Sequence, residues 1–380
     1  MHIVIAPDSF KESLSAAEVT EIIHSAFLTK FPRATYSLLP LADGGEGTVD
    51  AILYSQPGQK IDIEVLDPLE QKIRATFALI DEGQTALIEI AAASGLPLLK
   101  TEQRDAKITT SYGTGQLIKA ALDSGVSKII LGLGGSATND SGAGILEALG
   151  ARLLDKHGNT LPKGGIKLAD FDTLELSNID PRLKEIEFIV ACDVQNPLCG
   201  ANGASHIFGK QKGASFEERV LLDAALHNFA TKTEFINPSI TFEHASMGAA
   251  GGAPYGLSRI VPQLKIVNGI DFILKELGYD EVIKQADLVI TGEGRMDNQT
   301  LSGKTPLGVA KLAKDNGIPV IGICGILGDE VEKLDDYFAV VFPILRSLKP
   351  LEKVLAEAKF NLYNTASAIA SLLKISDKLR

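Results

Sequence analysis

The sequence has no tryptophan, three cysteines and six histidines among 380 residues. Cys192, Cys199 and Cys324 show no paired metal spacing and are too few for a disulfide framework, which points to a reducing compartment. No HExxH motif occurs, and the scattered histidines, His2 and His24 among them, read as surface or packing residues. Basic charge is also short. Lysine and arginine number 37 against 48 acidic residues, a net charge of -11. A nucleic-acid surface needs a basic stripe, so that class is excluded. Small anionic ligands are not excluded, because local cations decide their binding. Long apolar runs are missing too. Phe338 to Val341 is strand-sized, far below a membrane span. The N-terminus, Met1 to Asp8, lacks a basic leader region. The protein is expected to be cytoplasmic, with no membrane partner. Hydrophobic residues at 45% and charged residues at 22% suit a packed globular chain. Its length favours two domains over one.

The first segment reads as β-α-β. Ile3-Val4-Ile5 is a buried-strand run ended by Pro7-Asp8-Ser9. Ser15 and Glu18 form a capping box, and Val19, Ile22, Ile23, Ala26 and Phe27 give one apolar helix face. A strand follows at Thr35 to Leu39. This start predicts a parallel sheet with helices on its faces. After about residue 60 three strands crowd together, at Ile61–Val65, Ile73–Phe77 and Ala86–Ile90. Without room for crossover helices they should be antiparallel. The βα rhythm returns beyond residue 285, with strands at 288–290, 319–323 and 339–342 and a C-terminal helix around 351–373. Neither end alone holds enough strands for a doubly wound sheet. The expected architecture is therefore α/β: residues 1–60 plus 270–380 form a discontinuous flavodoxin-like parallel domain, and 61–269 form a large inserted α/β domain with a mixed sheet. Two domains in linear order are the alternative.

Two glycine-rich loops carry mixed chemistry. The richer, Gly292 to Thr305, follows the apolar run Asp287-Leu288-Val289-Ile290 and precedes a helical pattern. It holds Glu293, Asp297, Arg295, Lys304 and three hydroxyls where a strand hands over to a helix. In open α/β sheets this is the ligand edge, and the helix offers free N–H groups to an anion. The second, Gly132-Leu133-Gly134-Gly135-Ser136-Ala137-Thr138-Asn139-Asp140, lies between a strand and a helix and reads as a phosphate cradle. A tight turn would require the same glycines for their backbone angles alone. Neither loop is a standard nucleotide motif. A P-loop ending at Gly303-Lys304-Thr305 would need glycine at Asn298, and Ala137 takes the last glycine position of a dinucleotide fingerprint.

Carboxylates beside glycines or past apolar strands form the other signal. They are Asp8, Asp43 and Glu46 in Asp-Gly-Gly-Glu-Gly, Asp193, Glu293 and Asp297. Such acids suit Mg²⁺ binding and hydroxyl deprotonation, because Mg²⁺ takes a few carboxylates plus waters and phosphate. Each alone could be a helix cap or a turn residue.

These loops, in this order, resemble the bacterial, two-domain type of the glycerate kinase family. The resemblance rests on Ala6–Lys11, Ala42–Thr48, Gly134–Asp140, Ala191–Leu198 and Gly292–Thr305. It implies ATP-dependent phosphorylation of D-glycerate with Mg²⁺, favouring 2-phosphoglycerate as product, on a flavodoxin-like domain with a large insertion. Lys210 stands where many members carry proline, and no role is assigned to it. The active site is then expected in the cleft between the domains. Gly134, Gly135, Ser136, Thr138, Asn139 and Lys304 are expected to hold the nucleotide. Arg295, with its planar fork, is expected to clamp the glycerate carboxylate, oriented by Glu293 and Asp297, with Lys11 as second choice. Asp43, Gly44 and Gly45 join the substrate set. Asp193 is the expected base, with Asp8 and Lys11 in the catalytic set, and Asp43, Glu293 and Asp297 are the metal candidates. The competing readings are a kinase forming 3-phosphoglycerate, a kinase of another short hydroxy acid, and a non-catalytic sensor of a phosphorylated metabolite.

Overall fold

The computed structural model describes residues 1–42, 44–298, 300–302 and 304–379, side chains excepted at 302 and 376–379. By internal contacts the chain divides into two compact units. One comprises Met1–Asp43, Asp50–Gln56 and Ile270–Arg380; the other comprises Gly44–Val49 and Pro57–Gly269. Strands are numbered below in chain order.

The first unit is built on β1 (His2–Ile5), β2 (Thr35–Leu38), β11 (Leu288–Thr291), β13 (Val320–Cys324) and β15 (Val340–Pro343). They form one sheet in the order β15-β13-β11-β1-β2, and every pairing is parallel. Counted within this unit the order is 2-1-3-4-5, the flavodoxin-type doubly wound arrangement, which reverses direction between β1 and β11. A sheet of this kind must be apolar on both faces, and it is. Ile3, Ile5, Ile290 and Ile321 pack with Val19, Ile23 and Phe27 of helix Ala16–Leu28 and with Leu362 and Ile369 of helix Ala358–Leu379. On the opposite face Val4, Val289 and Val320 pack with Val309, Ala310 and Ala313 of helix Thr305–Asp315. The capping box is present at Ser15 and Glu18, a motif that contributes about 1 kcal/mol. The C-terminal helix is two helices, Leu351–Ala356 and Ala358–Leu379, rather than one. A two-stranded parallel pair, β12 (Arg295–Met296) and β14 (Ile326–Leu327), pins the loop after β11.

The second unit carries a mixed sheet of β3 (Gly58–Leu66), β4 (Lys72–Ile80), β5 (Thr85–Glu89), β6 (Lys128–Gly132), β9 (Glu187–Ala191) and β10 (Lys265–Val267), in the order β10-β9-β6-β5-β4-β3. The hairpins β3-β4-β5 are antiparallel, and β5, β6, β9 and β10 run parallel. β5 stops at Glu89, because Ile90 opens helix Ile90–Ser94. A separate antiparallel ribbon pairs β7 (Arg152–Asp155) with β8 (Phe171–Glu175). The core joins Phe77, Ile88, Ile129, Leu131 and Phe188 to Leu117 and Ile118 of helix Tyr112–Asp123. Glu89, Gly132 and Ala191 all end parallel strands on one edge, so this edge gathers the loops that follow them.

Candidate functional site

In the first unit the ligand edge is the crevice outside β1 and β11. The backbone N–H of Asp8 donates to the carbonyl of Gly292 at 2.8 Å, which joins the two loops that leave these strands. Asp8 is half-buried, and its Oδ1 accepts from the N–H of Ser9 at 2.6 Å. Lys11 is exposed.

Two acids in the 292–305 loop are almost fully buried, Glu293 at 8% and Asp297 at 5% exposure. Burying a carboxylate demands partners. Glu293 accepts from the Thr300 hydroxyl at 2.8 Å and from Lys304 Nζ at 3.1 Å. Asp297 accepts from Arg295 Nε at 2.7 Å. Arg295 is therefore oriented by Asp297 alone of the two acids expected to flank it. Glu293 turns to Lys304 instead, which accounts for Lys304 staying in this loop as an anchored cation. Thr305, at the start of helix Thr305–Asp315, has a buried hydroxyl oxygen without a hydrogen-bond partner.

In the second unit the 132–141 loop departs from the expected cradle in an instructive way. A side chain at Gly132 would meet the carbonyl oxygen of Gly44 at 2.0 Å, and one at Gly134 would meet Gly45 Cα at 2.4 Å. Both glycines are thus required by another backbone, that of the Gly44-Gly45 turn. Gly135 is different: it is exposed, has φ of +74° and faces open space apart from Ala91. Thr138 and Asn139 are fully buried, and Thr138 Oγ1 and Asn139 Oδ1 lie buried without hydrogen-bond partners. The helix that follows, Ala143–Ala148, does not offer its N-terminus to a ligand. The Asp140 carboxylate already accepts from Gly142 N, Gly144 N, Ser111 N and Ser111 Oγ. Burial pushes this carboxyl up from its ordinary range while those hydrogen bonds pull it down, and burial prevails. The accessible part of the loop is Gly134 and Gly135, with Ser136 only 6% exposed next to them and Thr138 and Asn139 fully buried.

Sequence reasoning passed over one more group here. Lys212, 2% exposed, donates to Ser136 Oγ at 3.0 Å and to the Thr138 carbonyl at 2.6 Å. No sequence signal marks it, because Lys210-Gln211-Lys212 reads as a solvated turn. Asp193, half-buried just past β9, accepts from the Gly269 N–H at 2.9 Å. Glu89, at the end of β5, accepts from the Val49 N–H at 2.7 Å.

For a metal the donor chemistry is partly right. Glu293 and Asp297 are hard oxygen donors, which suits Mg²⁺, but each already faces a cation. Among the described residues no group of three His, Cys, Asp or Glu is arranged to hold a metal ion. Asp43, the third expected ligand, lies outside the described residues. The set fits a Mg²⁺ that arrives with phosphate oxygens and waters better than a closed protein cage. None of the described helices is long and apolar enough to cross a membrane.

Comparison with known proteins gives this chemistry a context. The chain is 48% identical over 374 residues to a glycerate kinase of Haemophilus influenzae, covering 98% of this chain and 99% of that protein. It is 45% identical over 379 residues to a glycerate 2-kinase of Escherichia coli, covering 99% and 98%. The crystal structure of a protein described as glycerate kinase 2, from Salmonella typhimurium LT2, superposes with a TM-score of 0.87 at 44% identity, covering 100% of this chain and 99% of that one. The glycerate kinase family model matches residues 3–374. With loops, fold and length all in agreement, the chain belongs to the glycerate kinase family.

Proposed function

We propose that this chain transfers the terminal phosphoryl group of ATP to the 2-hydroxyl of D-glycerate, working with Mg²⁺ in the cytoplasm. The observation that carries this reading is the full-length match to glycerate kinases, one of them a glycerate 2-kinase. The position of the charged 292–305 loop, at the switch point of a doubly wound sheet, supports it independently.

Phosphoryl transfer depends chiefly on positioning and on stabilising charge. Arg295 is assigned to the glycerate carboxylate, with Lys11 as second cation and Gly44-Gly45 in the substrate set. The backbone of half-buried Gly134 and exposed Gly135, with the Ser136 hydroxyl, is assigned to nucleotide phosphates, and the buried Thr138 and Asn139 support that loop. Lys304 adds positive charge near its Glu293 partner. Asp193 is assigned to take the proton from the reacting hydroxyl, with Asp8 as a second carboxylate of the catalytic set. Glu293 and Asp297, together with Asp43, would hold Mg²⁺ through its waters, where it would neutralise phosphate charge.

The test is direct. The protein is incubated with ATP, Mg²⁺ and D-glycerate while ADP release is followed, and the product is read by ³¹P NMR. Coupling of phosphorus to a single methine proton identifies the 2-phosphate, and coupling to a methylene pair identifies the 3-phosphate. Turnover with another hydroxy acid but not glycerate would replace the acceptor. Absence of turnover with retained binding of phosphorylated metabolites would support a sensor.

A further inference from the structure

Lys212 is a buried cation that the proposed chemistry has not used. It sits on the turn Lys210–Lys212 between Gly209 and Gly213, and its ammonium is directed at the 134–138 loop. The loop is also held by backbone and by Thr109: Leu96 N donates to Gly135 O at 2.8 Å, Ala137 N donates to Ser94 O at 2.9 Å, and the Thr109 hydroxyl donates to Ala137 O at 3.0 Å. What the backbone does not set is the direction of the Ser136 hydroxyl. A hydroxyl has one proton to give and two lone pairs. While an ammonium donates to Ser136 Oγ, the Ser136 proton must point elsewhere, and an anion resting on Gly135 is where a donor is useful. A neutral amine can instead accept that proton and turn the hydroxyl inward.

We propose that Lys212 is a positioning residue for the nucleotide: its proton sets the Ser136 hydroxyl outward as a donor to ATP phosphate. The inference rests on the assignment of the 134–136 loop to phosphate. The charge surroundings make the proton movable. Burial pushes Lys212 down to about 7, against the attraction of Asp140. The other charged residues on the packed elements make no hydrogen bond or ion pair to Lys212, and the Arg104 Nε is buried without a hydrogen-bond partner. Lys107 pairs with Asp105 and Glu218; Arg219 donates to the His206 carbonyl; Arg104 packs its backbone on Gly213; Lys210 is exposed. Arrival of a polyphosphate favours the charged ammonium, so nucleotide binding takes up a proton above neutral pH.

The experiment measures MgATP dissociation constants by calorimetry from about pH 6.5 to about pH 9, on wild type, Lys212→Met and Ser136→Ala. Magnesium keeps the terminal phosphate ionised over this window. Wild-type affinity should fall about ten-fold as pH rises, the size of one charge-assisted hydrogen bond. Both variants should bind about ten-fold more weakly at the acid end and show no further change. The Michaelis constant for ATP should follow, with turnover at saturation retained. Lys212→Met with wild-type affinity and pH profile, beside a weakened Ser136→Ala, overturns the role of Lys212 alone. Ser136→Ala with unchanged affinity overturns the phosphate loop as well. Should Lys212→Met fail to fold by circular dichroism, the remaining pair still decides. A wild-type pH slope that disappears in Ser136→Ala supports the inference, and one that survives there, or a flat wild-type profile, overturns it.

Discussion

Asp297 holds Arg295 through Nε at 2.7 Å while the arginine side chain stays 59% exposed. The grip at Nε leaves the edge of the two terminal nitrogens, which can meet a carboxylate with two parallel hydrogen bonds, in place of the long contact of 3.9 Å that Nη2 makes with the exposed Asp329. Lysine cannot reproduce that edge. Arg295→Lys should raise the Michaelis constant for glycerate by about 10- to 100-fold, the worth of a charged hydrogen-bonded contact, with the constant for ATP unchanged. Asp297→Asn should give a smaller rise, because the fork loosens but remains. Steady-state kinetics with each substrate varied in turn will decide. Unchanged glycerate kinetics in Arg295→Lys would remove the clamp and bring Lys11 forward.

Asp140 serves the fold. Its two carboxylate oxygens accept four hydrogen bonds, from Ser111, Gly142 and Gly144. An asparagine would turn an N–H₂ group toward buried N–H donors. Asp140→Asn should therefore lose about 2–4 kcal/mol of stability in urea denaturation. The fraction that remains folded should keep its Michaelis constant for ATP. A stable variant with lost nucleotide affinity would return the carboxylate to the ligand's side of the loop.

The depressed Lys212 also fixes a pH dependence of stability, with a sign opposite to that of nucleotide affinity. The folded-state value is about 7 and the ordinary lysine value is 10.5. Within that window the unfolded chain binds the proton and the folded chain does not, so stability rises with pH. Thermal melts of the nucleotide-free protein should shift upward from about pH 7 to about pH 9. Lys212→Met should lack this rise. Its midpoint at neutral pH should not collapse, because replacing a buried charge with an apolar chain of similar volume is often neutral or stabilising. An identical pH profile in the variant would mean that another group carries the effect.

What the sequence made legible was local. Ser15 and Glu18 sit three residues apart, and their capping box is found in the structure. The parallel strands are short apolar runs buried on both faces, so Ile3–Ile5 and Leu288–Ile290 could be read from residue type alone. Pairings across distance could not. Glu293 looked like a flank for Arg295 and belongs to Lys304, because its burial favours an ammonium that reaches it from eleven residues on. The glycines at 132 and 134 were visible, but the Gly44-Gly45 backbone that requires them is remote in sequence. Lys212 was illegible for the same reason: its partners stand 76 and 74 residues away. Nothing in a Lys-Gln-Lys turn announces burial.

The last prediction concerns Asp193. The residue follows β9, whose body is buried from Phe188 to Ala191, so its backbone is rigidly placed. One carboxylate oxygen accepts from Gly269 N, which gives two competing roles, a structural acceptor and a general base. Asparagine separates them, since its carbonyl oxygen can still accept from Gly269 but cannot take a proton from a substrate hydroxyl. As general base catalysis contributes about 10²–10⁴-fold, Asp193→Asn should lower turnover by something on that order. Its thermal midpoint and its Michaelis constant for ATP should stay near wild type. Asp193→Ala, which also removes the acceptor, should lose stability as well as turnover. If Asp193→Asn keeps near-normal turnover while Asp8→Asn abolishes it, the proton acceptor lies at the β1–β11 crevice. Asp193 would then be a structural acceptor only, and the assignment of the kinase reaction itself would stand.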